Sequence, residues 1–363
     1  MLRRKYLSLL RNPLNIVRTK QLLQVNPTVF PPREEPDHSK ITVFEFNENN
    51  TEEIQLSDVN KTYQYLVSSN ISWINVDGLR KDNIENICNY FNIHPLLVED
   101  ILSIGQRPKM DELNDILYCL LNMLYFNEKN NTVEAEQISI ILGKKFVLSF
   151  QEDEDKDVFN PLRDKIKMMG SKVKQSGADY LFYSMIDMIV DNYFLVMEKL
   201  GESIEDLEEK IIKRADDSTL AEINMLRKEM IVLKRSVSPV REVVNGILRT
   251  ESELIDEKTE KYFKDIYDHI IQANELAENY RDMMINLHDL YLSRVNLKMN
   301  EVMKVMAVVT CLLAPATVIG GIFGMNFEQI PWLHNQYGFF IAVTFMLIIP
   351  ILMLWMFIKR GWF

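Results

Sequence analysis

The sequence predicts an α/β cytoplasmic domain, a long α-helical stalk and a two-helix transmembrane hairpin. Three observations carry that prediction. Strand-like and helical segments alternate through the first part of the chain, 68 consecutive residues after Gly246 contain neither Gly nor Pro, and two uncharged apolar stretches lie near the C-terminus. The 363 residues hold 41 Lys+Arg and 52 Asp+Glu, a net charge of −11. With a pI near 5.1, the chain lacks the clustered basic surface that nucleic-acid binding requires.

Residues 1–38 form a basic tail with seven Lys/Arg and three Asp/Glu, so +4 stands there against −15 for the remainder. No apolar h-region follows Arg3, Arg4 and Lys5, because the short run 6–10 is broken by Ser8; a secretory signal is therefore not expected. A solvated tail is the simple reading, and docking on anionic lipid is the alternative. Residues 39–177 read as the α/β domain. Strand-like composition marks 41–46, 71–76, 116–126 and 138–150, the last folding back around Gly143-Lys144-Lys145. Asp82 is placed to cap a helix running to Phe91, and His94-Pro95 to open another through Ile104. The acidic run 152–157 reads as a solvated loop, with a weak cation site as the alternative. Cys88, Cys119 and Cys311 are scattered, form no CxxC pair and fit a reducing compartment.

Residues 178–257 read as helical arms, one from about 179 to 214 and one from 218 to 248 with a bend near Pro239. From there 258–326 forms the stalk, continuing into the first transmembrane helix at about 302–324. Tyr262, Ile266, Ile270, Ala273, Ala277, Tyr280, Met284, Leu287 and Tyr291 recur every 3.6 residues, the mark of an amphipathic helix. At 1.5 Å per residue, an unbroken helix from 258 to 324 spans about 100 Å. Its apolar stripe needs partners, either the two arms of the same chain or neighbouring subunits.

Residues 305–323 and 338–358 carry no charge. A bilayer core of about 30 Å needs roughly 20 apolar helical residues, so each stretch is long enough to cross. Lys298 and Lys304 precede the first, and Lys359 and Arg360 in the basic tail 359–363 follow the second, whereas the loop at 327–337 has no Lys or Arg. The positive-inside rule then places both termini in the cytoplasm, with that loop external.

No GxxxxGK[ST], GxGxxG or HExxH pattern occurs, and no Ser or Cys stands in a recognisable nucleophile motif. Neither an enzyme nor an organic cofactor is expected. On the first membrane helix, Asn300, Met303, Ala307, Thr310, Ala314, Thr317, Gly321 and Gly324 fall at alternating steps of three and four. Two explanations of this polar or small face stay open. One is close helix packing, which the series Ala316, Gly320 and Gly324 also suggests. The other is a pore lining, in which hydroxyl, amide and carbonyl oxygens meet the hydration shell of a cation. Two helices cannot enclose a water path, so a pore requires several copies around an axis. Such a ring would set one Asn326 per subunit just outside the membrane. Uncharged oxygens suit Mg²⁺, which gives up its waters reluctantly. Entry needs no nucleotide, since a divalent cation gains roughly 4.6 kcal/mol per 100 mV on entering a negative interior.

Gly324-Met325-Asn326-Phe327 lies between the two membrane helices. It is joined by Asn300-Glu301-Val302-Met303-Lys304-Val305, the tail KRGWF, His94-Pro95-Leu96, Glu99-Asp100-Ile101-Leu102 and Gln106-Arg107-Pro108-Lys109. Together, over about residues 39–363, they resemble the CorA family of magnesium transport proteins. The resemblance implies a funnel-shaped homopentamer whose first membrane helices line the pore. It implies a selectivity filter at Gly324, Met325 and Asn326 and a conduction path along Thr317, Thr310, Met303 and Asn300, to which the helix face adds Ala307, Ala314 and Gly321, and Met306 joins them as a candidate for the constriction. It also implies that Asp100 and Asp265 contribute to a regulatory cation site between subunits. Mg²⁺ would thus be both the transported ion and the regulatory ligand, with Co²⁺ and Ni²⁺ as further cargo. Two departures from the family pattern stand out. Ala314 is small where relatives place bulky apolar residues, which leaves Met303 and Met306 as candidates for the constriction, and the external loop keeps only Glu328 to attract cations.

The expected protein is a passive, potential-driven Mg²⁺ channel of an inner or plasma membrane, with the bilayer, divalent cations and copies of itself as its partners. The alternatives are a zinc transporter of the same superfamily and a membrane-anchored coiled-coil scaffold that does not conduct. A scaffold tolerates Asn326→Ala; a channel does not.

Overall fold

The computed structural model describes residues 35–113, 115–153, 157–325, 330–331 and 335–362. The Lys and Arg residues of the N-terminal tail, the centre of the acidic run at 154–156, Asn326 and Glu328 lie outside the described residues. The chain divides into two compact units, Met1–Glu208 with Ala221–Ile285 and Glu209–Leu220 with Asn286–Phe363.

The first unit is built on a seven-stranded sheet. Its strands are β1 (Lys40–Phe46), β2 (Thr51–Leu56), β3 (Ile71–Asp77), β4 (Lys109–Leu113), β5 (Ile116–Asn127), β6 (Thr132–Leu142) and β7 (Phe146–Gln151). Their spatial order is β2-β1-β3-β7-β6-β5-β4. Only the β3–β7 pair is parallel among the described strands. The four expected strand segments fall within β1, β3, β5 and the β6–β7 hairpin. Composition did not mark β2 (TEEIQL) or β4 (KMDEL), and both are edge strands. Exposed charge is how sheets blunt their edges, and the same charge hides such strands from a search for apolar runs.

Helices cover both faces, as the period-2 alternation of buried side chains requires. On one face Ile41, Val43, Ile74, Val76, Leu148 and Phe150 join Ile84, Ile87 and Cys88 of α1 (Lys81–Tyr90) and Leu97 and Ile101 of α2 (Pro95–Leu102) in one core. The N-cap of α1 is Arg80, and Asp82 lies inside its first turn. His94 caps α2, its Nδ1 accepting from the Leu96 amide at 3.2 Å. On the opposite face Trp73 stacks on Phe44 with ring centroids 5.0 Å apart, meets the edge of Phe159 at 5.9 Å and lies under the Arg163 guanidinium at 5.4 Å. Its indole N–H donates to Ser149 Oγ at 2.8 Å. Arg163 belongs to α3 (Asn160–Lys167), and the short α4 (Lys172–Gln175) follows.

The predicted arms are α5 (Ala178–Lys213), α6 (Asp217–Val237) and α7 (Val240–Arg249), with the break at Ser238-Pro239. Tyr193 of α5 donates its hydroxyl to the Asn122 carbonyl at 2.7 Å, and Glu229 of α6 accepts from the Val133 amide at 2.7 Å, so both helices are tied to the sheet. The stalk is α8 (Glu257–Phe323), 67 residues with Pro315 inside it, and α9 (Gly338–Lys359) has 22. Between Tyr262 and Tyr280 the predicted stripe packs within the chain. Tyr262 meets Tyr180 and Tyr183 of α5 at 5.5 and 5.2 Å, and Phe263 meets Phe182 at 6.1 Å. Tyr280 lies so close to α5 that a Cβ on Gly201 would stand 2.7 Å from its hydroxyl.

Candidate functional site

Two helices, α8 and α9, are long and apolar enough to cross a membrane, and within one chain almost none of either apolar window is buried. That much exposed hydrocarbon requires lipid or further copies of the chain to cover it. What remains covered on α8 is informative. Val308 is buried and Leu312, Pro315, Ala316 and Ile319 are half-buried. At 3.6 residues per turn these five share one side of the helix. A Cβ added to Gly320, at the flank of that side, would lie 3.5 Å from Met346 Cε of α9, whereas one added to Gly321 would meet nothing within 4 Å.

Asn300, Met303, Ala307, Thr310, Ala314, Thr317, Gly321 and Gly324 are all exposed and lie roughly opposite. The two explanations left open by sequence therefore separate. Gly320 serves packing against α9, while the Asn/Thr/Gly face stays uncovered by the described residues. Thr310 donates its hydroxyl to the Met306 carbonyl at 2.9 Å and Thr317 to the Leu313 carbonyl at 3.0 Å. Each hydroxyl hydrogen is thus turned inward, and what the oxygen offers outward is acceptor capacity. Waters around a cation point their hydrogens outward, so acceptors are the groups that suit them. Met303 and Met306 are more than half exposed, at 53% and 65%, which leaves their flexible side chains unconstrained by the chain's own packing. Met325 is the last described residue before Asn326.

In the first unit, Asp100 near the end of α2 is already engaged. Lys109 Nζ lies 2.5 Å from its Oδ2, and Gln106 Nε2 donates to its Oδ1 at 2.9 Å. In the sequence Gln106 and Lys109 stand out only as part of a motif; their role at Asp100 comes from the start of β4, which brings residue 109 back beside α2. Asp265 stands exposed on α8, and its charge acts on Asp187 and Tyr183 of α5. Within the chain Asp100 and Asp265 meet no common partner among the described residues.

An α/β domain joined to two long apolar helices that the chain leaves unburied, one of them the stalk, marks a membrane protein with two C-terminal spans. The chain belongs to the CorA-like Mg²⁺ transporter protein family, whose model it matches over residues 68–360. It is a family of transporters, not of enzymes. The chain is 37% identical over 324 residues to the cobalt/magnesium transport protein CorA of Thermotoga maritima, covering 89% of this chain and 92% of that one. It is 21% identical to the zinc transport protein ZntB of Yersinia pseudotuberculosis, over 80% and 87% of the two chains. Its fold matches the complete structure of the CorA magnesium transporter from Methanocaldococcus jannaschii with a TM-score of 0.72 at 21% identity, covering 89% of this chain and 98% of that one.

Proposed function

We propose that this CorA-type divalent-cation transporter is a passive Mg²⁺ uptake channel, with Co²⁺ and Ni²⁺ as further cargo. It acts as a homopentamer in an inner or plasma membrane, with both termini cytoplasmic. The observation that carries the reading is the exposed acceptor face of α8, which is turned away from α9 and has no partner among the described residues. Five copies bring five such faces around one axis, with Gly324, Met325 and Asn326 at the outer mouth and Asn300, Met303, Met306, Ala307, Thr310, Ala314, Thr317 and Gly321 along the path. The 37% identity to a cobalt/magnesium transporter, against 21% to a zinc transporter, supports Mg²⁺ and Co²⁺ over zinc. The test is entry of Mg²⁺ into dye-loaded liposomes bearing the full chain, without nucleotide. Entry is expected to saturate with Mg²⁺ and to rise with inside-negative potential. Absence of entry by folded protein, even with internal divalent cation chelated, overturns the channel.

Gating follows from the carboxylates. Internal Mg²⁺ bridges Asp100 of one subunit and Asp265 of the next and holds the ring closed; its loss lets the acids repel and the stalks part. Lys109 competes for Asp100, because an ammonium 2.5 Å away already neutralises it. Lys109→Met is therefore expected to lower the internal Mg²⁺ needed for half-closure, by about twofold to fivefold for a pair of this partial exposure. An unchanged or raised requirement removes Asp100 from the gate.

A further inference from the structure

We propose that Phe30, Pro31, Pro32 and Arg33 of the basic tail dock in the groove between α1 and α2 of their own chain, with Arg33 toward the acids at its rim. The two helices flank a cavity of 510 Å³. Lys81, Glu85 and Asn89, spaced four residues apart along α1, make one wall. Val98, Glu99 and Leu102 of α2 make the other, and Ile93 closes it at the turn between the helices. Val98 and Leu102 are half-buried, whereas Glu85 and Glu99 are exposed. The groove is therefore apolar inside and acidic at its rim.

The course of the described chain selects the occupant. The Glu35 carboxylate accepts from the Lys81 amide at 3.0 Å, and the Asp37 carbonyl accepts from the Arg80 guanidinium at 3.3 Å. The side chain of Arg80 gives α1 no cap, so Glu35 satisfies an amide that the first turn leaves open. Because Lys81 also lines the groove, the segment before Glu35 is tethered at one end of it. A tethered segment meets its site at an effective concentration in the millimolar range, and modest contacts then suffice to hold it.

The lengths agree. Consecutive prolines favour the extended polyproline helix, which rises about 3.1 Å per residue, so four residues cover about 12 Å. From Lys81 to Asn89 the α1 wall is eight residues long, also about 12 Å. Arg33 stands two residues before Glu35, about 6 Å along such a segment; Glu85 stands one turn past Lys81, about 6 Å along α1. Arg33 thus comes level with Glu85, and Pro31, Pro32 and Phe30 follow over Val98, Leu102 and Ile93. The Lys81–Glu85 pair, at 3.7 Å with side chains 66% and 47% exposed, is too weak to withhold Glu85 from a guanidinium.

The test uses the full chain in detergent with Cys311→Ser, which removes the exposed thiol. Val29→Cys is combined with Asn89→Cys in the groove or with Asp164→Cys on α3, across the sheet, and treated with a short bismaleimide. Bridging to residue 89 within one chain is expected to run about tenfold or more faster than to residue 164, as proximity requires. In the otherwise unaltered chain, limited trypsin should cut after Arg33 about fivefold faster once Glu85→Gln and Glu99→Gln are both present, the size of an exposed ion pair. Cutting after Lys20 should not change. Both acids are exposed, so the two substitutions leave the core intact. Equal bridging to residues 89 and 164, bridges that join two chains, or cleavage after Arg33 that ignores the two acids would each overturn the docking.

Discussion

Asn326→Ala is expected to abolish saturable, selective Mg²⁺ entry while leaving the assembled protein intact. Asn326 follows Met325 at the end of the acceptor-lined face of α8, and its amide oxygen is the group proposed to hold the waters of an arriving ion. A hydrogen bond to a charged partner is worth roughly 1.5–3 kcal/mol, about tenfold or more in affinity, and every subunit of a ring loses one at once. Alanine offers no acceptor, so the ring loses recognition rather than merely width. The measurement is dye-reported entry under an inside-negative potential, with Mg²⁺ in competition with monovalent cations. A folded variant that keeps saturable entry with the same selectivity removes Asn326 from the filter. Equal entry by variant and wild type, at the level of protein-free liposomes, returns the scaffold to consideration.

The second large effect concerns stability of the α/β domain. Trp73→Ala is expected to cost about 3–5 kcal/mol, much of what holds a domain folded. Trp73 is fully buried, stacks on Phe44, meets Phe159 and Arg163, and donates to Ser149. Ser149 in turn donates to Asn75 Oδ1 at 2.6 Å, and Asn75 Nδ2 to Asp77 Oδ1 at 2.9 Å. The indole thus stabilises both the packing and a polar chain across the parallel β3–β7 pair. Hydrogen exchange should show the amides of β3 and β7 opening more readily by that amount, while Trp73→Phe, which keeps most of the ring packing, should cost far less. A loss below about 1 kcal/mol in the alanine variant would show that the opposite face of the sheet carries the domain.

Much of this architecture was readable before any tertiary structure. β1, β3 and β5 announce themselves as apolar runs, His94-Pro95 opens α2, and the stripe from Tyr262 to Tyr291 fixes the register of α8. The two membrane helices follow from length and absence of charge. These are local signals, each contained within about a dozen residues or repeated at a fixed period. The edge strands β2 and β4 escaped because their charge serves solvent rather than a core.

The site divides in the same way. Spacing placed Asn300, Thr310, Thr317 and Gly324 on one side of a helix, but two uses of small residues lie on the same helix and no period separates them. Only the placement of α9 does so, by setting Met346 against Gly320 and leaving Gly321 free. The approach of Asp191 to His269 spans 78 residues of chain and has no local signature. Likewise Asp100 gains Lys109 only when β4 turns back beside α2. The sequence by itself determined the apolar strands, the long helices and which of them enter the membrane, because propensity, periodicity and charge act between near neighbours. The tertiary structure decided which face of α8 remains open and which acids acquire a lysine or a histidine, because contacts between distant segments depend on how whole elements pack.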